Sequence, residues 1–139
     1  MKTTVLISGG GSNLQALIDA RDARRLDIEL EHVISNVAGA AGLERAARAG
    51  ISSSVLPHGD CSRREEVDRA LAILIAANRP VMVVLAGFMR IIGQAVLETL
   101  QGRLINLHPS LLPLYRGTDT YRRAIEAGDR QHGASIHFV

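Results

Sequence analysis

Apolar and polar positions fall into alternating blocks along the chain, short apolar runs between longer amphipathic ones. Thr3-Thr4-Val5-Leu6-Ile7 is a continuous apolar run with β-branched residues, the pattern of a strand covered on both faces. A polar glycine loop follows, Ser8 to Asn13. From Leu14 to Ala23 the apolar positions Leu14, Leu17 and Ile18 recur at helical spacing. Glu29 to Ser35 predicts a second strand, and Ala40 to Ala49 a helix stopped by Gly50. Ser53 to Leu56 predicts a short strand ended by Pro57. Ser62 to Asn78 predicts a helix: Ser62 and Glu65 have capping-box spacing, and Val67, Leu71, Leu74 and Ile75 form an apolar face. After Pro80, Val81-Met82-Val83-Val84-Leu85 is the most apolar strand and is expected at the centre of the sheet. Gln94 to Leu100 predicts a helix, Arg103 to His108 a strand, Thr118 to Ala127 a helix ended by Gly128, and Ala134 to Val139 an alternating strand.

Strict alternation of strand and helix implies a parallel, doubly wound α/β sheet. In such sheets ligands bind at the carboxyl ends of the strands, near the point where strand order reverses. The loops after the strands are therefore the places to look for chemistry.

Composition narrows the classes. The 139 residues are 47% hydrophobic and 22% charged, values of a globular chain, and one domain spanning 1–139 is expected. The balance of 16 basic against 14 acidic residues is too even for a protein that coats nucleic acid or an anionic membrane. Aromatic residues at 3% and the lack of Trp also argue against a base-stacking platform. Of the basic residues only Lys2 is lysine, and arginine suits carboxylate and phosphate recognition. Cys61 is the single cysteine, so neither an internal disulfide nor a cysteine metal cluster is expected. With no bilayer-length apolar run and no signal-peptide pattern at the start, the expectation is a soluble cytoplasmic protein.

Three loops carry the candidate chemistry. Ser8-Gly9-Gly10-Gly11-Ser12-Asn13 lies between the first strand and the first helix. Its glycines allow close backbone approach, Ser12 or Asn13 can cap the helix, and the helix start favours an anion such as phosphate. The dinucleotide fingerprint and the nucleotide-triphosphate loop are both absent, and an ordinary tight turn satisfies the same residues. In Asn106-Leu107-His108-Pro109, Asn106 and His108 leave one face of a strand, Leu107 points to the core, and Pro109 holds His108 extended. An amide beside an imidazole can stabilise an oxyanion and move a proton in one step. After the fourth strand, Gly87 permits a sharp turn, while Phe88, Met89, Ile91 and Ile92 offer apolar surface beside Arg90. Arg64 opens the third helix at its positive end, where a cation is mildly unfavourable; this hints at an anionic ligand, although Arg63 and Arg69 nearby fit a solvated face as well.

Together these stretches resemble the folate-dependent phosphoribosylglycinamide formyltransferases. The resemblance rests on Ile7 to Ala16, Val84 to Ile91, Asn106 to Pro113 and His132 to Val139, and it covers the whole chain. It implies the formyltransferase fold, a mostly parallel Rossmann-like sheet. It also implies that Gly11, Ser12 and Asn13 hold the phosphate of glycinamide ribonucleotide, and that Arg64, Met89, Arg90, Ile91, Ile92 and Asn106 contact the folate. Asn106 and His108 would be catalytic, 10-formyltetrahydrofolate the co-substrate, and no metal, nucleic acid or membrane would be involved. The implied protein is a monomer or homodimer in purine biosynthesis.

That family carries an aspartate just beyond the equivalent of Val139, which orients the histidine, and then a last strand and a helix. The expectation is therefore a fragment, impaired in activity alone, in which nothing clearly orients His108. Thr118 and Tyr121 also depart from the family pattern. Methionyl-tRNA formyltransferase shares the Asn-x-His-Pro turn, and formyltetrahydrofolate hydrolase is similar but differs at Pro109. A non-catalytic phosphate-binding module remains the reading from another class.

Overall fold

The computed structural model describes residues 1–57 and 64–139. The elements are β1 (Lys2–Ile7), α1 (Ser12–Asp22), β2 (Glu29–Ser35), α2 (Ala41–Arg48), β3 (Ser52–Val55) and α3 (Arg64–Ala77). They continue with β4 (Met82–Leu85), α4 (Gln94–Thr99), β5 (Leu104–His108), α5 (Thr120–Glu126) and β6 (Ser135–Phe138). Every element expected from the hydrophobic pattern is present, with ends moved by one or two residues. The Ser62–Glu65 capping box lies outside the described residues at its Ser62 end.

The strands form one sheet in the order β3-β2-β1-β4-β5-β6. β1 to β5 run parallel, and β1 and β4 are the central pair, as the apolar run Val81 to Leu85 predicts. The sheet is not wholly parallel: β6 runs antiparallel to β5, with Asn106 opposite His137 and His108 opposite Ser135. Strand alternation reports burial but not direction, which is why the pattern missed this.

Side chains of alternate parity pack two cores on the two faces. On one face Leu6, Val83, Leu85 and Leu104 meet Leu71 and Ile75 of α3, Val96 of α4 and Leu100 just after it. On the other, Val5, Ile7 and Val33 meet Leu14 and Ile18 of α1 and Ala46 of α2. Helices α1 and α2 thus cover one face and α3 and α4 the other, the doubly wound arrangement. Leu107 does not enter the core as expected. It is half-buried, opposite exposed Ile136, because no described element covers that face of β5 and β6.

Candidate active site

The strand order reverses between β1 and β4, and in a doubly wound sheet the carboxyl ends at such a reversal are where ligands bind. The chain leaves β1 at Ser8 and leaves β4 through Ala86, whose N–H donates to the Leu6 carbonyl at 2.9 Å. Gly87 then turns at φ 77°, a conformation that favours glycine. The Ser8 hydroxyl joins the loops. It donates to Asn36 Oδ1 at 2.5 Å and accepts from the Met89 N–H at 2.7 Å.

The glycine loop is braced from α2. Gly42 N–H donates to the Gly9 carbonyl at 3.0 Å, and Arg45 Nε to the Gly10 carbonyl at 2.8 Å. Arg45 also donates to Gln15 Oε1 at 3.2 Å. With these carbonyls engaged by α2, Gly9 and Gly10 remain exposed. Gly11 is left-handed at φ 70°, and a Cβ there would lie 2.6 Å from Gly42 Cα, so only glycine fits between α1 and α2. The expected side-chain cap is corrected: the N-cap of α1 is Gly11, and no side chain bonds the helix start. The Gly11 carbonyl accepts from Gln15 N at 2.8 Å instead. Ser12 and Asn13 sit exposed in the first turn, their side chains not spent on capping.

In the loop after β4 the apolar residues divide. Phe88 and Ile92 pack against the core on the α3 and α4 side, while Met89 and Ile91 are 71% and 81% exposed. Arg90 reaches across to α3, where its Nη2 donates to the Arg64 carbonyl at 2.9 Å. A cleft of about 450 Å³ lies here, lined by Arg64, Asp68, Arg69, Arg90, Ile91 and Gly93 among others. Asp68 is buried and caps α4 from α3. It accepts from Gly93 N at 2.8 Å, Ala95 N at 3.0 Å and Val96 N at 3.4 Å. A Cβ on Gly93 would come within 2.5 Å of this carboxyl group, so glycine and aspartate fit only together.

Asn106 and His108 leave β5 on the α3 and α4 face, as their spacing requires, and both are half-buried. Asn106 Nδ2 lies 3.4 Å from Nε2 of His137, its antiparallel neighbour. His108 Nε2 lies 3.0 Å from the Tyr115 carbonyl. A carbonyl only accepts, so Nε2 is the protonated nitrogen and Nδ1 carries the lone pair in the neutral ring. The expectation that nothing orients His108 is thus corrected. Tyr115 is itself held: its backbone is left-handed at φ 51°, its hydroxyl donates to Asp129 Oδ2 at 2.5 Å, and Arg123 lies 5.4 Å from its ring centroid. The hydrogen bond to Asp129 raises the phenol above its usual pKa of 10.0.

Ser8 joins the start of the glycine loop to Met89, Arg90 joins that loop to Arg64, and Asn106 lies beside Leu85 at the end of β4 and lines one groove with Asn13. Sequence reasoning assigned no role to Ser8, Asn36, Arg45, Asp68, Tyr115 or His137. Asp68 had a signal: it falls on the stripe of Leu71, Ala72 and Ile75, where a carboxylate needs partners. Tyr115 and Ser8 had none, because their partners are set by the fold. Among the described residues no group of three or more His, Cys, Asp or Glu side chains could hold a metal, and no helix is long and apolar enough to cross a membrane.

These features define an α/β protein with a glycine loop after β1 and an amide–imidazole pair at the end of β5, one strand from the reversal of a doubly wound sheet. The chain belongs to the formyl transferase family, whose sequence profile matches residues 1–139. It is 50% identical over 139 residues to phosphoribosylglycinamide formyltransferase of Escherichia coli (strain K12), covering 100% of this chain and 66% of that protein. It is 41% identical over 138 residues to the trifunctional purine biosynthetic protein adenosine-3 of Homo sapiens, covering 99% of this chain and 14% of that protein. Among solved structures, phosphoribosylglycinamide formyltransferase from Coxiella burnetii in complex with CHES superposes with a TM-score of 0.92 at 45% identity. That match covers 100% of this chain and 65% of the other. Glycinamide ribonucleotide transformylase 1 from Symbiobacterium toebii gives 0.91 at 40%, over 100% and 66%. The chain spans just under two thirds of the length of these bacterial relatives.

Proposed function

We propose that the protein carrying this chain transfers the formyl group of 10-formyltetrahydrofolate to the glycine amine of glycinamide ribonucleotide, a step of purine biosynthesis. The observation that carries the reading is the pair Asn106 and His108 on one face at the end of β5, with Asn106 beside Leu85 where β4 gives way to the Met89–Ile92 loop. The names of the relatives support formyl transfer to glycinamide ribonucleotide, and the family resemblance supports the folate donor. Residues 1–139 form the N-terminal part of the transferase domain.

In this reading Gly11, Ser12 and Asn13 hold the ribonucleotide phosphate with loop amides and exposed side chains at the start of α1. Arg64, Met89, Arg90, Ile91, Ile92 and Asn106 hold the folate. The exposed Met89 and Ile91 offer flat apolar surface, and the arginines meet its acid groups. The substrate amine attacks the formyl carbon, a new C–N bond forms, and the carbonyl π electrons move to oxygen. The Asn106 amide stabilises this oxyanion by donating to it, and His108 donates from Nδ1 once that nitrogen has taken up the amine's proton. The bond from carbon to the folate nitrogen then breaks as the oxyanion collapses, and the amine's proton reaches that nitrogen through His108. No step calls for a metal.

The test is a formyl-transfer assay on the whole protein with the labelled donor and three acceptors: glycinamide ribonucleotide, methionyl-tRNA and water. Transfer to the ribonucleotide is expected. Transfer only to tRNA, or release of formate without acceptor, would replace this reading with a related formyltransferase or a hydrolase.

A further inference from the structure

We propose that Ser8 is a positioning residue for the formyl donor, holding the loop after β4 in place from the end of β1. The inference rests on the formyl-transfer reading and gives the first residue of the glycine loop a role toward the other loop.

Ser8 stands where the central strands part. Its neighbours on the sheet are already tied: Ala86 N–H reaches the Leu6 carbonyl, and the ladder between β1 and β4 ends at Leu6 and Leu85. Beyond that pair no backbone bond joins the two chains, and the loop from Gly87 swings away at positive φ. The Ser8 hydroxyl makes the next link. Its oxygen accepts from Met89 N–H at 2.7 Å while its proton goes to Asn36 Oδ1 at 2.5 Å. Asn36 is buried at the end of β2, so the hydroxyl is aimed by a fixed partner. A hydroxyl that donates in one direction presents its lone pairs in the other, and here they face the Met89 amide.

The residues this link steadies are those most in need of it. Met89 and Ile91 are exposed, so packing does not set their position. The far end of the loop is fixed by Asp68 at Gly93, Phe88 and Ile92 pack on the core, Arg90 is tied to α3, and the Met89 amide between them is held by Ser8. The glycines that follow Ser8 have separate braces from Gly42 and Arg45. Loss of the Ser8 hydroxyl therefore falls on the donor side and spares the ribonucleotide side.

The experiment compares Ser8→Ala, Ser8→Thr and Asn36→Ala in the whole protein. Removing one such hydrogen bond shifts an affinity by about three- to tenfold. Ser8→Ala is expected to raise the KM for the folate donor by about that factor, with the KM for the ribonucleotide unchanged. Ser8→Thr keeps the oxygen and returns the donor KM toward wild type. Asn36→Ala lets the hydroxyl rotate and raises the donor KM less. Amide exchange at Met89 should quicken in Ser8→Ala. Equal rises in both KM values, or a folded Ser8→Ala protein with unchanged donor KM and Met89 exchange, would overturn the assignment. A wild-type protein that transfers no formyl group would overturn the functional reading instead, and Met89 exchange would still report whether Ser8 fixes the loop.

Discussion

The two nitrogens of His108 are distinguished by a backbone atom. Because the Tyr115 carbonyl holds Nε2 as a donor, a neutral ring offers Nδ1 as the base, and the ring's orientation follows from the left-handed turn at Tyr115. Replacing His108 by Ala in the whole protein is expected to cut turnover by roughly 10²–10⁴, the range of a lost general acid–base group, with the fold retained. Near-normal turnover in that folded variant would leave His108 a structural residue. A second histidine acts on stability. His32 on β2 reaches across to β3 with Nε2 2.8 Å from Ser54 Oγ, and burial lowers its pKa below 6.5, partly opposed by Glu31. The folded state thus prefers the neutral ring. The stability this contributes is full above the unfolded pKa near 6.5 and is lost as pH falls through the lowered folded value. Urea denaturation at pH 7 and pH 5 should show the loss, and a His32→Gln variant should show less of it. Identical pH dependence in both proteins would remove His32 as its source.

At the scale of elements, the site depends on helices being fixed by groups that are distant in sequence. Asp68 on α3 satisfies three amides at the start of α4, a helix of only six residues with no cap of its own. Asp68→Ala is expected to lower the unfolding free energy by about 1–3 kcal/mol, since buried donors lose their acceptor. Asp68→Asn, which keeps one acceptor, should lose less. Chemical denaturation checks both, and a neutral Asp68→Ala change would mean that water replaces the carboxylate without cost. This dependence also marks where the sequence stops being legible. The apolar periodicity placed all the elements, because burial of Leu71 and Ile75, or of Val83 and Leu85, leaves its period in the chain. The glycine loop and the Asn106–His108 pair were legible for the same local reason. The cap at Gly11 was not, since Ser12 and Asn13 are better capping residues and the decisive fact is the approach of Gly42 to within 2.6 Å of a Cβ at Gly11. The link from Ser8 to Met89 spans a sequence separation of 81 residues, and no local pattern encodes it.

For the molecule as a whole, the two faces of the sheet are unequally covered. Over β1 and β2 both faces are packed, whereas β5 and β6 have a packed face and a bare one. Val84, Ile105, Leu107 and Ile136 line a groove of about 260 Å³ against Ala16 and Leu17 of α1. Phe138, opposite Ile105, extends it, and Ile136 and Phe138 are 72% and 66% exposed. Such a contiguous apolar surface beside the edge strand β6 favours association over a hydrated state. The polypeptide of residues 1–139 prepared by itself is therefore expected to self-associate as its concentration rises. Two copies can bury this face against each other, and β6 offers its unpaired edge. Phe138→Asp and Ile136→Lys act on the exposed positions without touching either core, so they should shift the population toward monomer while leaving the far-ultraviolet circular dichroism unchanged. Sedimentation velocity over a hundredfold range of concentration measures this directly. If the unsubstituted chain sediments as a monomer throughout, the exposed face is not adhesive in water and the argument from its apolar area fails.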